Sequence, residues 1–486
     1  MPAAAITAAT AANTNDSMIP LCVDLDGTLV KSDTFHDALF SLLRNQPLSL
    51  LHFPSWLAGG KAKVKAEVAA LAELDVEYLP YNQPVLQFLL EQHRLGRPIY
   101  LTTGADHSLA NRVAVHLGFF TGVIASDGVT NMTGSHKLSG LQQRFPEFDY
   151  IGNATPDLQV LAHSREVLVA NPTRSLLRGL QTQKLPITRR FQDQKAALPT
   201  ILKAIRIHQW AKNILLFVPL LLSHEFSWQN AVSDIAAFVA FSFIASANYL
   251  INDLLDIESD RRHLKKRLRP FAAGDLSIPL GIATAFALVV VSCSLLPLLP
   301  GSFALWLLLY AGATSAYSFA LKRIPIIDVL VLSGLYDLRM LAGAAATETP
   351  FSPWLSSFAV FLFLSLAMVK RFSELQNMKE RGIEKPHGRG YMVTDLEQIR
   401  SFGTSSAYAA VVVFSLYITR PDVDAYYRHS GRLWLIVPFM LYWLNRVWLL
   451  ASRGELDEDP VIFALRDRIS QVIAACVAAL AILATI

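Results

Sequence analysis

Beyond about residue 205 the chain is a succession of apolar stretches, and that pattern limits its architecture more than any other feature. About nine of them are long enough, or nearly so, to cross a hydrocarbon layer: 208–224, 232–252, 279–299, 302–321, 325–346, 353–370, 403–419, 431–451 and 468–486. The expectation for residues 205–486 is an all-α membrane bundle, and an odd number of crossings puts its two ends on opposite sides. Composition agrees. Hydrophobic residues make up 52% of the chain and charged ones 17%, which is too apolar for an average soluble protein.

Orientation follows from where Lys and Arg fall. The loops after the second, fourth, sixth and eighth stretches carry Arg261 to Arg269, Lys322 with Arg323, Lys370 to Arg400, and Arg453 with Arg466. The other loops hold little beyond Arg420, Arg428 and Arg432. The basic set, and with it the N-terminal region and all candidate chemistry, is expected on the cytoplasmic face of an inner or plasma membrane. The net charge of +4 is small, and no nucleic-acid partner is expected. Cys22, Cys293 and Cys476 are too far apart for a metal or disulfide spacing and read as buried small apolar residues. Residues 1–17, rich in Ala, Thr and Asn, have neither the basic start nor the apolar core of a secretory signal and are expected to form a disordered tail.

Residues 18–173 follow different physics. Short apolar runs at Ile19–Val23, Pro98–Thr102, Gly122–Ala125, Asp149–Ile151 and Val167–Ala170 alternate with segments of helical period. This predicts an α/β, Rossmann-like domain with a mainly parallel sheet. A mostly helical stretch from Asp33 to about Gln92 would form a cap, and residues 174–204, polar and basic, a linker.

Two constellations carry chemistry. In the first, strand Ile19–Val23 runs into Asp24-Leu25-Asp26-Gly27-Thr28. Two carboxylates one residue apart at a strand end suit covalent phosphoryl transfer, one attacking phosphorus and the other serving as acid and base, with Mg²⁺ neutralising charge. In the second, Asn248, Asn252, Asp256 and Asp260 recur every fourth residue and make one polar stripe on a helix. The stripe begins inside an apolar segment, where acids are costly without a cation. Arg261, Arg262, His263, Lys265, Lys266, Arg267 and Arg269 follow at once. Acids able to hold Mg²⁺ beside bases able to hold phosphate make a site for a diphosphate at a bilayer surface. A solvated helix end with ordinary cytoplasmic charge explains the bases but not the regular stripe.

The Asp24 segment resembles the first motif of the haloacid dehalogenase superfamily, which implies Asp24 as nucleophile and Asp26 as general acid/base. Leu101 to Asp106 looks like the second motif, with Thr103 preferred over Thr102 for phosphate binding. Lys137 fits the charge-offsetting lysine, and Gly152 to Asp157 resembles the fourth motif. That family usually has an acid where this chain has Asn153. An amide still coordinates Mg²⁺ but adds no charge, with Asp157 as a compensating acid. An active phosphatase and a phosphate-binding pseudo-enzyme both stay open.

Asn252-Asp253-Leu254-Leu255-Asp256 with Asp260 resembles the first aspartate-rich motif of the UbiA-type intramembrane prenyltransferases, a superfamily of nine membrane helices. There such residues, here Asn252 with the acids Asp253, Asp256 and Asp260, hold Mg²⁺ on a donor diphosphate. Where most members have a second acid-rich motif, this chain reads Lys370-Arg371-Phe372-Ser373-Glu374. That departure is similar to the polyprenyl-phosphate phosphoribosyltransferase branch, as are His208-Gln209-Trp210, Lys266-Arg267-Leu268-Arg269-Pro270, and Tyr317 through Asp328 with Lys322 and Arg323. The branch also matches the later Asp459-Pro460 and Asp467. The resemblance implies a phosphorylated sugar donor, phosphoribosyl pyrophosphate, and a polyprenyl phosphate acceptor. Lys212, Asn248, Lys266, Arg267, Arg269, Tyr317, Lys322, Arg323, Asp328, Lys370 and Arg371 are the expected substrate contacts, and the fused domain would remove phosphate from the product. Lys212 with Trp210 reads equally as an interfacial anchor. Asp337 and Arg339 read as an ion pair or as pocket lining, and Arg389-Gly390-Tyr391 as a lid or a plain loop. The rival reaction is prenylation of an aromatic or other small acceptor. A transporter or scaffold without chemistry is the third reading, and oligomeric state is undetermined.

Overall fold

The structure is a computed structural model that describes residues 19–72, 74–223, 226–380, 382, 390–456 and 460–486. The expected N-terminal tail, Arg389 and Asp459 lie outside the described residues. The chain divides into two compact units. One joins the described residues up to Ile205 with Leu250–Thr284, and the other joins Arg206–Tyr249 with Ala285–Ile486.

The first unit is built on a six-stranded sheet of order β3-β2-β1-β4-β5-β6, every pairing parallel. The strands are β1 (Leu21–Val23), β2 (Ile99–Asp106), β3 (Gly122–Ser126), β4 (Asp149–Gly152), β5 (Val167–Ala170) and β6 (Arg189–Phe191). Side chains alternate across the sheet, and helices cover both faces, so the inner strands are apolar throughout. Leu21 and Val23 join Leu89, Ile99 and Leu101 in one core. Cys22 points the other way, between Tyr100 and Tyr150 in register, into a core with Val167, Val169 and Leu176. Burial pushes the Cys22 thiol up to about 12. Cys293 is exposed and Cys476 partly so, so of the three only Cys22 is a core residue.

Residues 174–204, expected as a linker, instead build a helix (Arg174–Thr182), β6 and a second helix (Ala197–Ala204). Between β1 and β2 the chain forms the expected helical layer, including Thr34–Asn45, Phe53–Ala58 and Lys61–Leu71, around Leu42, Trp56, Val64 and Val68. Asp33 starts that layer: its carboxylate accepts the Phe35 and His36 N–H groups at 3.0 and 3.1 Å.

Among the described residues seven helices, rather than nine, are long and apolar enough to cross a membrane: Trp228–Leu255, Ile278–Leu298, Ile327–Thr347, Pro353–Glu380, Val393–Ile418, Ser430–Ser452 and Arg468–Thr485. The first expected span is instead a 3₁₀ run, Ile207–Phe217, followed by the short helix Val218–Ser223. The Gly301–Phe319 helix is long enough, but its Ser, Thr, Trp and Tyr residues lower its hydropathy. The second unit packs around several cores, two of them large. One holds Phe241, Phe303, Tyr310 and Leu338, the other Tyr336, Phe363, Phe372 and Trp448.

Candidate functional site

In the first unit the strand order reverses between β1 and β4. In open α/β sheets ligands bind at that reversal, beyond the carboxyl ends of the strands. Asp24 directly follows β1 and Asn153 directly follows β4. Both line a cavity of about 490 Å³ with Asp26, Gly27, Lys65, Gly104, Lys137 and Asp157. Gly27 has φ +75°, and a Cβ there would lie 1.9 Å from Asn153 Nδ2. Only glycine gives both the turn and the room for the carboxamide.

Lys137 is the electrostatic centre of this cavity. Its ammonium donates to Asp24 at 2.8 Å, to Tyr150 OH at 2.8 Å and to Asp157 at 3.1 Å. Burial alone would lower its pKa, but Asp157 and Asp24 hold it above the ordinary lysine value. Burial raises Asp24 to about 6 against the pull of Lys137. It raises Asp26 to about 7, with Asp33 adding to the effect. Asp157, expected as an acid compensating for Asn153, is already engaged on both oxygens. Tyr150 OH donates to it at 2.8 Å, and the Asn153 and Ala154 N–H groups at 3.1 Å each. It sits behind Lys137 and fixes the turn after β4. Thr103 is fully buried and its hydroxyl accepts the Ala105 N–H at 3.0 Å, whereas the cavity lining at this point is Gly104.

The same unit holds the acid stripe. The Trp228–Leu255 helix ends one residue before Asp256, and a second helix, Ile257–Arg262, continues from it. The fourth-residue ladder survives the break, with Asp256 N donating to Asn252 O at 2.9 Å and Asp260 N to Asp256 O at 2.8 Å. Asn252 Nδ2 donates to the Asp256 carboxylate at 3.2 Å. Arg269 returns to bridge two of the acids, Nη1 lying 3.1 Å from Asp253 and 2.7 Å from Asp260. Both acids are 2% exposed. Burial raises Asp260 despite that arginine. Lys266 and Arg267 are exposed on a short 3₁₀ turn.

Sequence reasoning missed what meets this stripe. Arg44, from the Thr34–Asn45 helix, donates to Leu255 O at 2.8 Å and pairs with Asp256. Ser41 bonds Glu258 at 3.0 Å, and Asp37 pairs with Arg261 at 2.8 Å. No periodicity links these positions, which lie more than two hundred residues apart. Among the described residues no three His, Cys, Asp or Glu side chains gather to hold a metal by themselves. Mg²⁺ commonly takes one or two carboxylates and completes its shell with water and phosphate. Asp24 with Asp26 and Asn153, and Asp256 with Asn252, are donor sets that fit this habit.

In the second unit the basic residues of the Pro353–Glu380 helix divide. Arg371, expected as a phosphate contact, is 1% exposed. Its guanidinium meets Asp328 at 2.6 Å, Glu374 at 2.7 Å and Tyr317 OH at 3.1 Å. Tyr391 OH donates to the other Asp328 oxygen at 2.5 Å and accepts the Ile326 N–H at 2.8 Å, so it is a buried strut and not a lid. Lys370 and Lys322 are half-buried and Arg323 is exposed. Lys212 lies over the Tyr336 ring, 5.8 Å from its centroid, and Trp210 Nε1 bonds Ser246 at 2.9 Å. Asn248 Nδ2 is buried and has no hydrogen-bond partner among the described residues. Asp337 and Arg339 are not a pair: Asp337 accepts from Ser356 at 2.7 Å, and Arg339 donates to Asn213 at 2.9 Å and Tyr310 OH at 3.0 Å. Asp467 caps the Arg468–Thr485 helix and takes Arg446 on both oxygens, at 2.7 and 3.0 Å.

The seven apolar helices among the described residues define an integral membrane protein of the helical class. Residues 213–466 match the UbiA prenyltransferase family, and the chain belongs to it. It is 37% identical to the uncharacterized protein y4nM of Sinorhizobium fredii, covering 96% of this chain and 92% of that protein. Two relatives match a shorter part of it. Nodulation protein NoeC of Azorhizobium caulinodans is 32% identical over 59% of this chain and 93% of its own. Decaprenyl-phosphate phosphoribosyltransferase of Mycobacterium tuberculosis is 33% identical over 56% of this chain and 90% of its own.

Proposed function

We propose that the membrane bundle transfers 5-phosphoribose from phosphoribosyl pyrophosphate to a polyprenyl phosphate, releasing pyrophosphate, at the cytoplasmic face of an inner or plasma membrane. The observation that carries the reading is the Lys370-Arg371 pair. A buried guanidinium, anchored by Asp328, Glu374 and Tyr317, stands where a prenyl-diphosphate enzyme of this superfamily carries a second set of acids. That guanidinium is spent on those partners, so it is the neighbouring, half-buried Lys370 that suits phosphate held directly. The likeness to decaprenyl-phosphate phosphoribosyltransferase points the same way.

Asn252, Asp253, Asp256 and Asp260 would hold Mg²⁺, which when bound draws charge from a departing pyrophosphate. Arg269 keeps Asp253 and Asp260 together. Lys322, Arg323 and Lys370 carry charge for the sugar 5-phosphate and the lipid phosphate, and Arg371 sets their background. Lys212, Asn248, Lys266 and Arg267 are further substrate contacts in this reading. The lipid phosphate oxygen attacks the anomeric carbon as the bond to pyrophosphate breaks, and an already ionised phosphate needs no strong general base.

The sheet domain is read as a haloacid dehalogenase-like phosphatase. Asp24 attacks phosphorus, and Asp26, raised to about 7, protonates the leaving oxygen. Asn153 stands beside Gly27 as a neutral donor for Mg²⁺, and Lys137 offsets the charge on Asp24.

Membranes given labelled phosphoribosyl pyrophosphate and polyprenyl phosphate should make a labelled lipid. Asp256→Ala should lower that rate about 100-fold, the scale of losing one electrostatic stabiliser. Labelling of an aromatic acceptor from a prenyl diphosphate instead would establish the rival reaction, and full activity of the variant would remove the acid stripe from catalysis. For the sheet domain, phosphate release by the full chain is compared with Asn153→Asp and Asp24→Asn. Turnover confined to Asn153→Asp would make the native domain a binder and not a catalyst.

A further inference from the structure

The cavity beside Asp24 has a second wall that the sheet domain does not supply. Phe271, Leu276, Ile278 and Pro279 line the cavity together with the carboxylates, and they come from the segment that follows the acid stripe. The wall is built in advance. Gly274 N donates to Phe271 O at 3.1 Å, and Asp275 N and Leu276 N donate to Pro270 O at 2.9 and 3.1 Å. Asp275 then fastens the loop, 2.6 Å from Lys31 and 2.8 Å from Lys195. Gly274 has φ +68°, and a Cβ there would lie 2.8 Å from the Lys31 Cβ, so the loop abuts the chain just beyond Asp26.

The cavity is therefore amphiphilic: Asp24, Asp26, Lys137 and Asn153 share its lining with Phe271, Leu276, Ile278 and Pro279. Moreover, Ile278 and Pro279 are the first residues of Ile278–Leu298, a helix apolar enough to cross a membrane. A small soluble phosphomonoester leaves such a wall unsolvated and unused. A phosphate joined to an apolar chain, or to a headgroup that carries one, covers it.

We infer that the sheet-domain site takes phosphomonoesters of membrane amphiphiles, with the Phe271–Pro279 loop as its specificity determinant. This rests on reading the domain as a phosphatase and adds the class of substrate. In the step, water ultimately replaces the ester oxygen on phosphorus, releasing inorganic phosphate and leaving a hydroxyl on the amphiphile.

The test uses the purified full chain with Mg²⁺ and two probes, ethyl phosphate and octyl phosphate, the latter below its micelle concentration. Phosphate release gives kcat/KM for each, and thermal protection of Asp24→Asn gives binding without turnover. Octyl phosphate should be favoured by at least about tenfold, roughly what burying two methylenes gives. Pro279→Glu, at an exposed position, and Phe271→Ala should each reduce that preference to less than about threefold, again on the methylene scale. Equal use of both probes by the native chain, or a preference that persists in both variants, overturns the inference while leaving the phosphatase reading intact. Neither release nor protection by either probe overturns both.

Discussion

At the residue scale the decisive groups are those whose charge is already answered. Arg371 looks in the sequence like a hand for phosphate, yet two carboxylates and a phenol occupy it. Its substitution should therefore act on stability before chemistry. Arg371→Gln breaks the buried pair with Asp328, and breaking such a pair typically costs about 3–5 kcal/mol. A lowered melting point in detergent, with loss of soluble protein on mild heating, is the expected outcome. A variant that melts like the native chain but fails to bind donor would return Arg371 to the substrate. That Lys137 would answer the charge of Asp24 was legible from short local motifs, and the two side chains do meet at 2.8 Å. That Asp157 braces Lys137 while Thr103 faces inward was not legible, since a hydroxyl or carboxylate can turn either way on the same backbone.

At the element scale, apolar strands announced themselves and polar ones did not. β6 is three residues long, with Arg189 and Arg190 exposed and Phe191 buried, so its pattern is indistinguishable from a loop. The membrane helices were legible by length. Hydropathy alone, however, could not separate a straight span from the 3₁₀ run at Ile207–Phe217. Asp467 shows how a helix start is tied to its neighbour, because one carboxylate serves Ser470 N and Arg446 together. Asp467→Ala should cost about 1 kcal/mol for the cap alone, seen as a lower melting point. The Asp275 loop allows a test by pH. Burial would raise that carboxyl, but Lys195 and Lys31 hold it below its ordinary 3.8. Its stabilising contribution is thus complete above 3.8 and fades as pH falls through the depressed value. Asp275→Asn should accordingly be less stable than the native chain at pH 7, and the gap should narrow below pH 4. A gap that stays constant down to pH 3 would mean the charge contributes nothing.

At the scale of the whole molecule, the sequence suggested a head, a linker and a bundle, whereas Leu250–Thr284 belongs to the same unit as the head. Arg44 is the sharpest sign of this, since a residue of the helical layer meets an acid of the stripe. If that arginine competes with cation for Asp256, Arg44→Ala should lower the Mg²⁺ concentration for half-maximal transfer by about threefold, within the worth of a partly exposed pair. An unaltered Mg²⁺ response would make the contact purely architectural. The practical corollary concerns how this enzyme can be dissected. Cutting the chain after Ile205 would amputate Phe271–Pro279 and bare the carboxylates to bulk water. Such a fragment would lack part of the lining of the cavity beside Asp24, and measurements on it would describe a site that the intact polypeptide never presents.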